Sequence, residues 1–274
     1  MIVVTGATGN VGQPLVRALL AAGEQVTAVT RRSPDEQPAG VRHHQADLVE
    51  PLTLKPALDG AEALFLLTSG DFVAAGGDLG QVLDVVRAGG VRRVVLLSSH
   101  GVSTGEHPSQ LEDAVRQSGL EWTMLRPGGF HSNTLQWAGA VRAGRTVAAP
   151  FGDVALPTVD PDDIAQVAAV VLRDASHAGR VYELTGPAPV SPRQQAAAIG
   201  AALGEPVRFL EQSRAEARAE MVRFMPEPIA DATLDLLGDP SDGLRRVSPD
   251  VERVLGRPPR AFAEWAARNA GAFR

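Results

Sequence analysis

Eight residues near the amino terminus, Thr5-Gly6-Ala7-Thr8-Gly9-Asn10-Val11-Gly12, carry the clearest chemistry in the chain. The glycines stand at 6, 9 and 12, after the β-branched run Ile2–Val4 and before an amphipathic stretch, Val11–Ala22. Between a strand and a helix, such a turn lets backbone approach a pyrophosphate, and the helix end supplies N–H groups and a positive dipole. Gly6, Ala7, Thr8, Gly9, Asn10 and Val11 are therefore the expected phosphate contacts. The G-x-x-G-x-x-G spacing departs from the G-x-G-x-x-G of many dinucleotide sites, but its place at the first strand–helix junction is the same. The second strand ends Thr30-Arg31-Arg32, where a dinucleotide site faces the adenosine ribose. An acid there would bind the 2′-hydroxyl of NAD(H). Two guanidinium groups suit a 2′-phosphate instead, so NADP(H) is expected in preference to NAD(H). Asp35 comes too late in the chain to replace the missing acid. Asp47 and Leu48, after the third strand, are placed to meet the adenine edge, and Asp47 serves equally well as a helix N-cap.

Acid–base candidates are few. Tyr182 is the only tyrosine and Lys55 the only lysine, so any Tyr–Lys pair must use those two. His100, His107 and His131 lie in three separate loops beyond strand ends, and each could donate a proton near neutral pH; each is also a plain pocket-lining or surface residue on the alternative reading. No two of them have helical metal-ligand spacing, and His43-His44 would point to opposite faces of a strand. Asp160 and Asp163 read as helix N-terminal caps rather than catalytic acids. With no cysteine, thiolate nucleophiles, thiolate metal sites and disulfides are excluded.

These residues need a frame. Strands are expected at Ile2–Val4, Gln25–Thr30, Val41–Gln45, Ala63–Leu67, Arg93–Ser98, Trp122–Leu125 and Val181–Leu184. Helices are expected at Val11–Ala22, Leu79–Ala88, Ser109–Ser118, Ser132–Ala143 and Pro161–Arg173. Continuous apolar strands alternating with helices imply an α/β fold, a Rossmann-type doubly wound parallel sheet. After Gly186 the pattern turns mostly helical, with Pro192–Leu203, Ser213–Phe224, Pro228–Leu237 and Pro259–Ala270 around a short strand at Val207–Leu210. The division expected is 1–150 as nucleotide-binding core, 151–185 as returning core elements, and 186–274 as a smaller substrate-binding part. The ligand is expected between the parts, at the carboxyl ends of the strands.

A net charge of −6 argues against a nucleic-acid partner. No apolar run reaches the roughly 18–20 residues of a membrane span, and the first residues read as a strand rather than a signal peptide. The expectation is a cytoplasmic monomer or homodimer acting on a small molecule.

The phosphate turn resembles that of the atypical short-chain dehydrogenase/reductases, NmrA-like and NAD(P)H:quinone-oxidoreductase-like branch. So do Ala88–Val95 running into Leu97-Ser98-Ser99, Trp122–Phe130 with Asn133, Asp160–Ala165, and Gly256–Arg260 with Glu264-Trp265-Ala266. The resemblance implies that Leu66, Leu67 and Thr68 flank the ribose and pyrophosphate, and that Ser98 and Ser99 stand beside the nicotinamide. It also implies that Pro127, Gly128, Gly129 and Phe130 pack against that ring. For Ser98 and Ser99, local turn capping is the other reading. The pattern breaks where short-chain dehydrogenases carry Tyr and Lys four residues apart: the helix beginning near Glu106–Glu112 has neither. A quinone tolerates that loss, because the hydroquinone oxyanion is a weak base. Phe130, Trp137, Phe151, Met221, Phe224 and Met225 are the expected wall for a flat apolar substrate, with core packing as the alternative. The function expected is NADPH-dependent reduction of a quinone or similar conjugated acceptor by direct hydride transfer. A redox-sensing NADP(H)-binding regulator and a non-redox rearrangement enzyme are the alternatives.

Overall fold

The computed structural model describes residues 1–32 and 39–274, so Asp35 lies outside the described residues. In chain order the strands are β1 (Ile2–Thr5), β2 (Val26–Thr30), β3 (Val41–Gln45), β4 (Ala63–Leu66), β5 (Arg93–Leu97), β6 (Glu121–Pro127), β7 (Thr146–Pro150), β8 (Arg180–Leu184) and β9 (Arg208–Gln212). Seven of them form one parallel sheet in the order β3-β2-β1-β4-β5-β6-β8, the Rossmann-type arrangement. β1 and β4 are buried along their whole length, as continuous apolar strands covered on both faces must be. β3, with two histidines and an arginine, is half-exposed at one edge. The order reverses between β1 and β4, which opens a crevice at the carboxyl ends of those two strands.

By compactness the described chain divides into two units. The first comprises Met1–Pro127, Pro161–Leu184 and Asp250–Arg257; the second comprises Gly128–Asp160, Thr185–Pro249 and Pro258–Arg274. The divisions at 150 and 186 are thus displaced: residues 128–150 fall in the second unit, and 250–257 return to the first. β7 explains part of this, because it pairs in parallel with β9 and not with the large sheet. Its sequence, Thr-Val-Ala-Ala-Pro, is too short and too rich in alanine to announce a strand. The core of the first unit is built on Val3, Leu64, Leu66, Leu83, Val94, Leu96 and Met124. That of the second gathers Val141, Val147, Ile199, Phe262, Trp265 and Phe273.

The expected helix Ser132–Ala143 is instead a 3-10 segment, His131–Trp137, followed by an α-helix, Ala138–Gly144. Thr134 Oγ1 donates back to the His131 carbonyl (2.8 Å), the local competition by which polar β-branched residues disturb an α-helix start. Among the described residues no helix is long and apolar enough to cross a membrane.

Candidate functional site

The phosphate turn begins where β1 stops. Gly6 has φ +62°, which glycine adopts without a Cβ penalty, and the Gly9 N–H donates to its carbonyl (2.9 Å). Helix α1 (Gly12–Ala21) starts directly after, and Val11 at its N-cap has no side-chain oxygen to occupy the terminal N–H groups. A Cβ on Gly12 would lie 2.1 Å from the Gly6 carbonyl oxygen and 2.7 Å from Ala7 Cα. The turn therefore folds against the helix as only glycine permits. Thr8, Gly9 and Asn10 are exposed on the turn, while Ala7 and Val11 are buried beneath it. This cradle fits a dinucleotide pyrophosphate.

Thr5 fixes the turn's neighbour. Its hydroxyl donates toward the Phe65 and Leu67 carbonyls (3.1 and 3.3 Å) and accepts from the Leu67 N–H (2.8 Å), tying the end of β1 to the end of β4. Leu67 packs on Gly6, its Cδ2 only 3.1 Å from where a Cβ would stand. Leu66 corrects the expectation that its side chain flanks the cofactor: it is fully buried in the core, because β4 is covered on both faces. Thr68 is half-buried at the same strand end.

Arg31 and Arg32 are exposed just beyond β2. Arg31 Nη1 donates to Asp71 Oδ2 at 2.6 Å, from the helical turn Gly70–Ala74 after β4. Asp47 Oδ1 accepts from the Val49 N–H (3.0 Å), so Asp47 caps a turn there; Leu48 beside it is half-buried.

At the end of β5 the two serines have separate partners. Ser98 Oγ donates to Glu112 Oε1 (2.6 Å), on the helix Gln110–Gln117. Glu112 is 1% exposed and also takes Arg126 Nε (2.8 Å) and Nη2 (2.6 Å) and Arg116 Nη2 (2.7 Å). Burial pushes its carboxyl up, but hydrogen bonds from Arg126 and Ser98, the Arg126 charge and the Arg116 bond outweigh it and hold it below the usual carboxylate range. Sequence reasoning missed this cluster. The available signal was an acid and a base four apart, Glu112 and Arg116, on the helix that lacks the Tyr–Lys pair.

Ser99 Oγ lies 2.7 Å from His107 Nδ1 and accepts from the Gly101 N–H (3.2 Å). His107 is exposed, and its ring lies over Gly101, where a Cβ would come within 2.8 Å of it. The other two histidines differ. His100 is 2% exposed: its N–H donates to the Pro127 carbonyl (2.9 Å), which draws the ring inward to 3.7 Å from Glu183 on β8. His131 is 1% exposed, bonded through Nδ1 to Thr158 Oγ1 (2.9 Å) and packed edge-on against Phe262 at 5.2 Å. Both correct the expectation of accessible proton donors and instead tie together their own units.

Tyr182 is on β8, its hydroxyl 2.6 Å from His177 Nδ1; Lys55 opens a short helix after β3. β8 is one edge of the seven-stranded sheet, whereas the helix that Lys55 opens lies in the β3–β4 connection and packs its Ala57 and Leu58 into the core with Leu64 and Leu83. Asp163 pairs with Arg257 (2.7 Å) and Asp160 with Arg268, so both acids are neutralised by arginine.

Pro127 ends β6, buried, in the first unit. Gly128, Gly129 and Phe130 open the second, where Phe130 bridges to Val159. Trp137 packs on that unit's core. Phe151 is half-buried with φ +53°, strained for a bulky residue, and its ring lies where a Cβ on Gly238 would meet it at 2.9 Å. Met221 and Met225 are half-buried, but Phe224 is 70% exposed, which corrects its place in a wall: in the described structure it faces solvent.

Residues 6–175 match the family described as NAD(P)H-binding. The chain is 36% identical over 284 residues to a (4-alkanoyl-5-oxo-2,5-dihydrofuran-3-yl)methyl phosphate reductase of Streptomyces griseus, covering 100% of this chain and 99% of that one. It is 34% identical over 286 residues to an NAD(P)H azoreductase of Xenophilus azovorans, with the same coverage. The crystal structure of an NADPH-dependent quinone oxidoreductase from Escherichia coli, complexed with NADPH, superposes with a TM-score of 0.81 at 27% identity, covering 98% of this chain and 99% of that one.

Proposed function

Because this chain belongs to the NAD(P)H-binding family, we propose that it is an NADPH-dependent oxidoreductase reducing a flat conjugated acceptor such as a quinone. The observation that carries this reading is the Ser99–His107 pair at the carboxyl end of β5, on the same end of the sheet as the phosphate turn. Gly6 to Val11 would hold the pyrophosphate, and Arg31 with Arg32 the 2′-phosphate, with Asp47, Leu48, Leu67 and Thr68 along the adenosine side. Ser98, Ser99 and Pro127 would border the nicotinamide. When bound, the reduced nicotinamide supplies a hydride.

The chain's own part is the proton. With His107 protonated, its Nδ1–H and the Gly101 N–H both donate to Ser99 Oγ, which fills the acceptor capacity of that oxygen. The Ser99 hydroxyl proton is then directed to a third partner, the oxyanion of the reduced acceptor. As it leaves, Nδ1 passes its proton to Oγ, and the exposed ring is reprotonated from solvent. No Tyr–Lys pair takes part. Ser98 cannot substitute, because its proton is committed to Glu112. Quinones, azo compounds and unsaturated lactones, the chemistries in the relatives' names, share a conjugated system able to accept hydride.

The test is NADPH oxidation with a panel of quinones, azo dyes and conjugated lactones, by wild type and His107→Gln. Turnover of a conjugated acceptor is expected. His107→Gln should lower kcat about 10²-fold, with NADPH affinity unchanged. Tight NADPH binding with no turnover of any acceptor would overturn the reading in favour of a non-catalytic sensor.

A further inference from the structure

Arg31 and Asp71 stand 40 positions apart and meet at 2.6 Å. Their place in the sheet gives the contact its meaning. Arg31 follows β2, Asp71 follows β4, and β1 lies between those strands. The ion pair therefore crosses about two strand spacings, roughly 10 Å, above the strand end from which the phosphate turn departs.

Neither end is loose. The Arg31 carbonyl accepts from Gln45 Nε2 (3.0 Å), which holds the backbone at the end of β2. Asp71 belongs to a turn that Ser69 caps through the Phe72 N–H (3.2 Å) and that Phe72, 2% exposed, anchors in the core. Gly77 closes over the Phe72 ring, which leaves no room for a Cβ: one would lie 2.4 Å from the ring. The charged groups themselves remain accessible, with side chains 52% and 75% exposed. An arriving phosphate can thus reach the guanidinium, and the carboxylate cannot move far from it.

We propose that Asp71 is a specificity-determining residue for the nucleotide: it is the internal anion that occupies Arg31 until a 2′-phosphate displaces it, and so it narrows the preference for NADPH over NADH. The inference rests on the reading of Arg31 as the partner of the 2′-phosphate. A nucleotide with a free 2′-hydroxyl leaves the Arg31–Asp71 pair intact and loses nothing. A nucleotide with a 2′-phosphate must break the pair and then sit beside the freed carboxylate. Asp47 adds negative charge acting on Arg31 in the same sense. The phosphate still prevails, because it brings more charge and a bidentate fit to the guanidinium. Between groups this exposed, the pair is worth a factor of about 1.5 to 5 in an equilibrium.

The test is the dissociation constant of NADPH, NADH and 2′,5′-ADP, measured by fluorescence and calorimetry at low and high salt. It compares wild type, Asp71→Asn, Arg31→Ala and the double variant, with thermal unfolding as the check on folding. Asp71→Asn is expected to tighten NADPH and 2′,5′-ADP about two- to fivefold, more at low salt, and to leave NADH unchanged. In the Arg31→Ala background the same substitution should produce no gain. A gain that persists there would reduce Asp71 to a general through-space repulsion and overturn the proposal. Weaker binding of NADPH and NADH alike would overturn it too, making Asp71 a direct contact. If Arg31→Ala weakens NADPH more than about tenfold while Asp71→Asn changes nothing, the proposal fails and the Arg31 reading stands. If Arg31→Ala leaves NADPH binding unchanged, both fall.

Discussion

Replacing Glu112 with glutamine should be among the most damaging single-atom changes available in this chain. Every neighbour of the carboxylate is a donor: Ser98 Oγ and Arg126 Nε on Oε1, Arg126 Nη2 and Arg116 Nη2 on Oε2. An amide has one oxygen and one NH₂ group: with the NH₂ toward Arg126 Nη2 and Arg116 Nη2 both of those bonds are lost, and with it toward Ser98 the hydroxyl can turn to accept while the Arg126 Nε bond is lost. It also strips the counter-charge from two arginines. Breaking a buried pair in this way costs about 3–5 kcal/mol. Arg126 and Arg116 keep 15% and 34% side-chain exposure, so water recovers part of the loss and the lower end, about 3 kcal/mol, is expected. For a protein of this size that lowers Tm by roughly 6–12 °C. The pH dependence supplies a second check. Glu112 is held below its unfolded value, so its contribution is fully present above about pH 4.3 and disappears as pH falls through the folded value. Urea unfolding of wild type and Glu112→Gln should therefore show a wide gap at pH 7 that narrows in acid. A gap under about 1 kcal/mol at pH 7, or one that stays constant into acid, would refute the reasoning.

Three further outcomes follow from the geometry. Gly12→Ala should weaken NADPH binding by about 10–100-fold in a fluorescence titration, because its Cβ meets backbone at 2.1 Å and the turn must open to admit it. Phe151→Gly should be more stable than Phe151→Ala by about 1 kcal/mol in chemical denaturation, since both lose the ring but only alanine is strained at φ +53°. Tyr182→Phe should leave turnover at the wild-type rate in a steady-state assay and cost about 1 kcal/mol of stability, the worth of its bond to His177.

Much of the frame was legible from residue patterns. The helices Leu79–Ala88 and Pro161–Arg173 have the bounds that apolar periodicity predicts, because each buries an apolar face along its length. β7 was not legible, since two alanines and a terminal proline carry almost no local preference and only pairing with β9 makes them a strand. Among the histidines, sequence put His100 first, with His107 and His131 as alternatives. Burial removes His100 and His131, and a hydrogen bond to Ser99 distinguishes His107. Nothing local encodes that choice, because it depends on loops from different strands arriving at one place.

By itself the sequence determined what is covalent and local: glycines where a Cβ is forbidden, arginines at the end of β2, and a single tyrosine and a single lysine. Only the tertiary structure decided what those residues meet. It bonded Tyr182 on the edge strand β8 to His177, committed Ser98 to Glu112, and brought Asp71 across β1 to Arg31. The physical reason is that a parallel sheet reorders its strands. Residues 40 positions apart become neighbours at one end of the sheet, and charge and hydrogen bonding act through that distance and not through the chain.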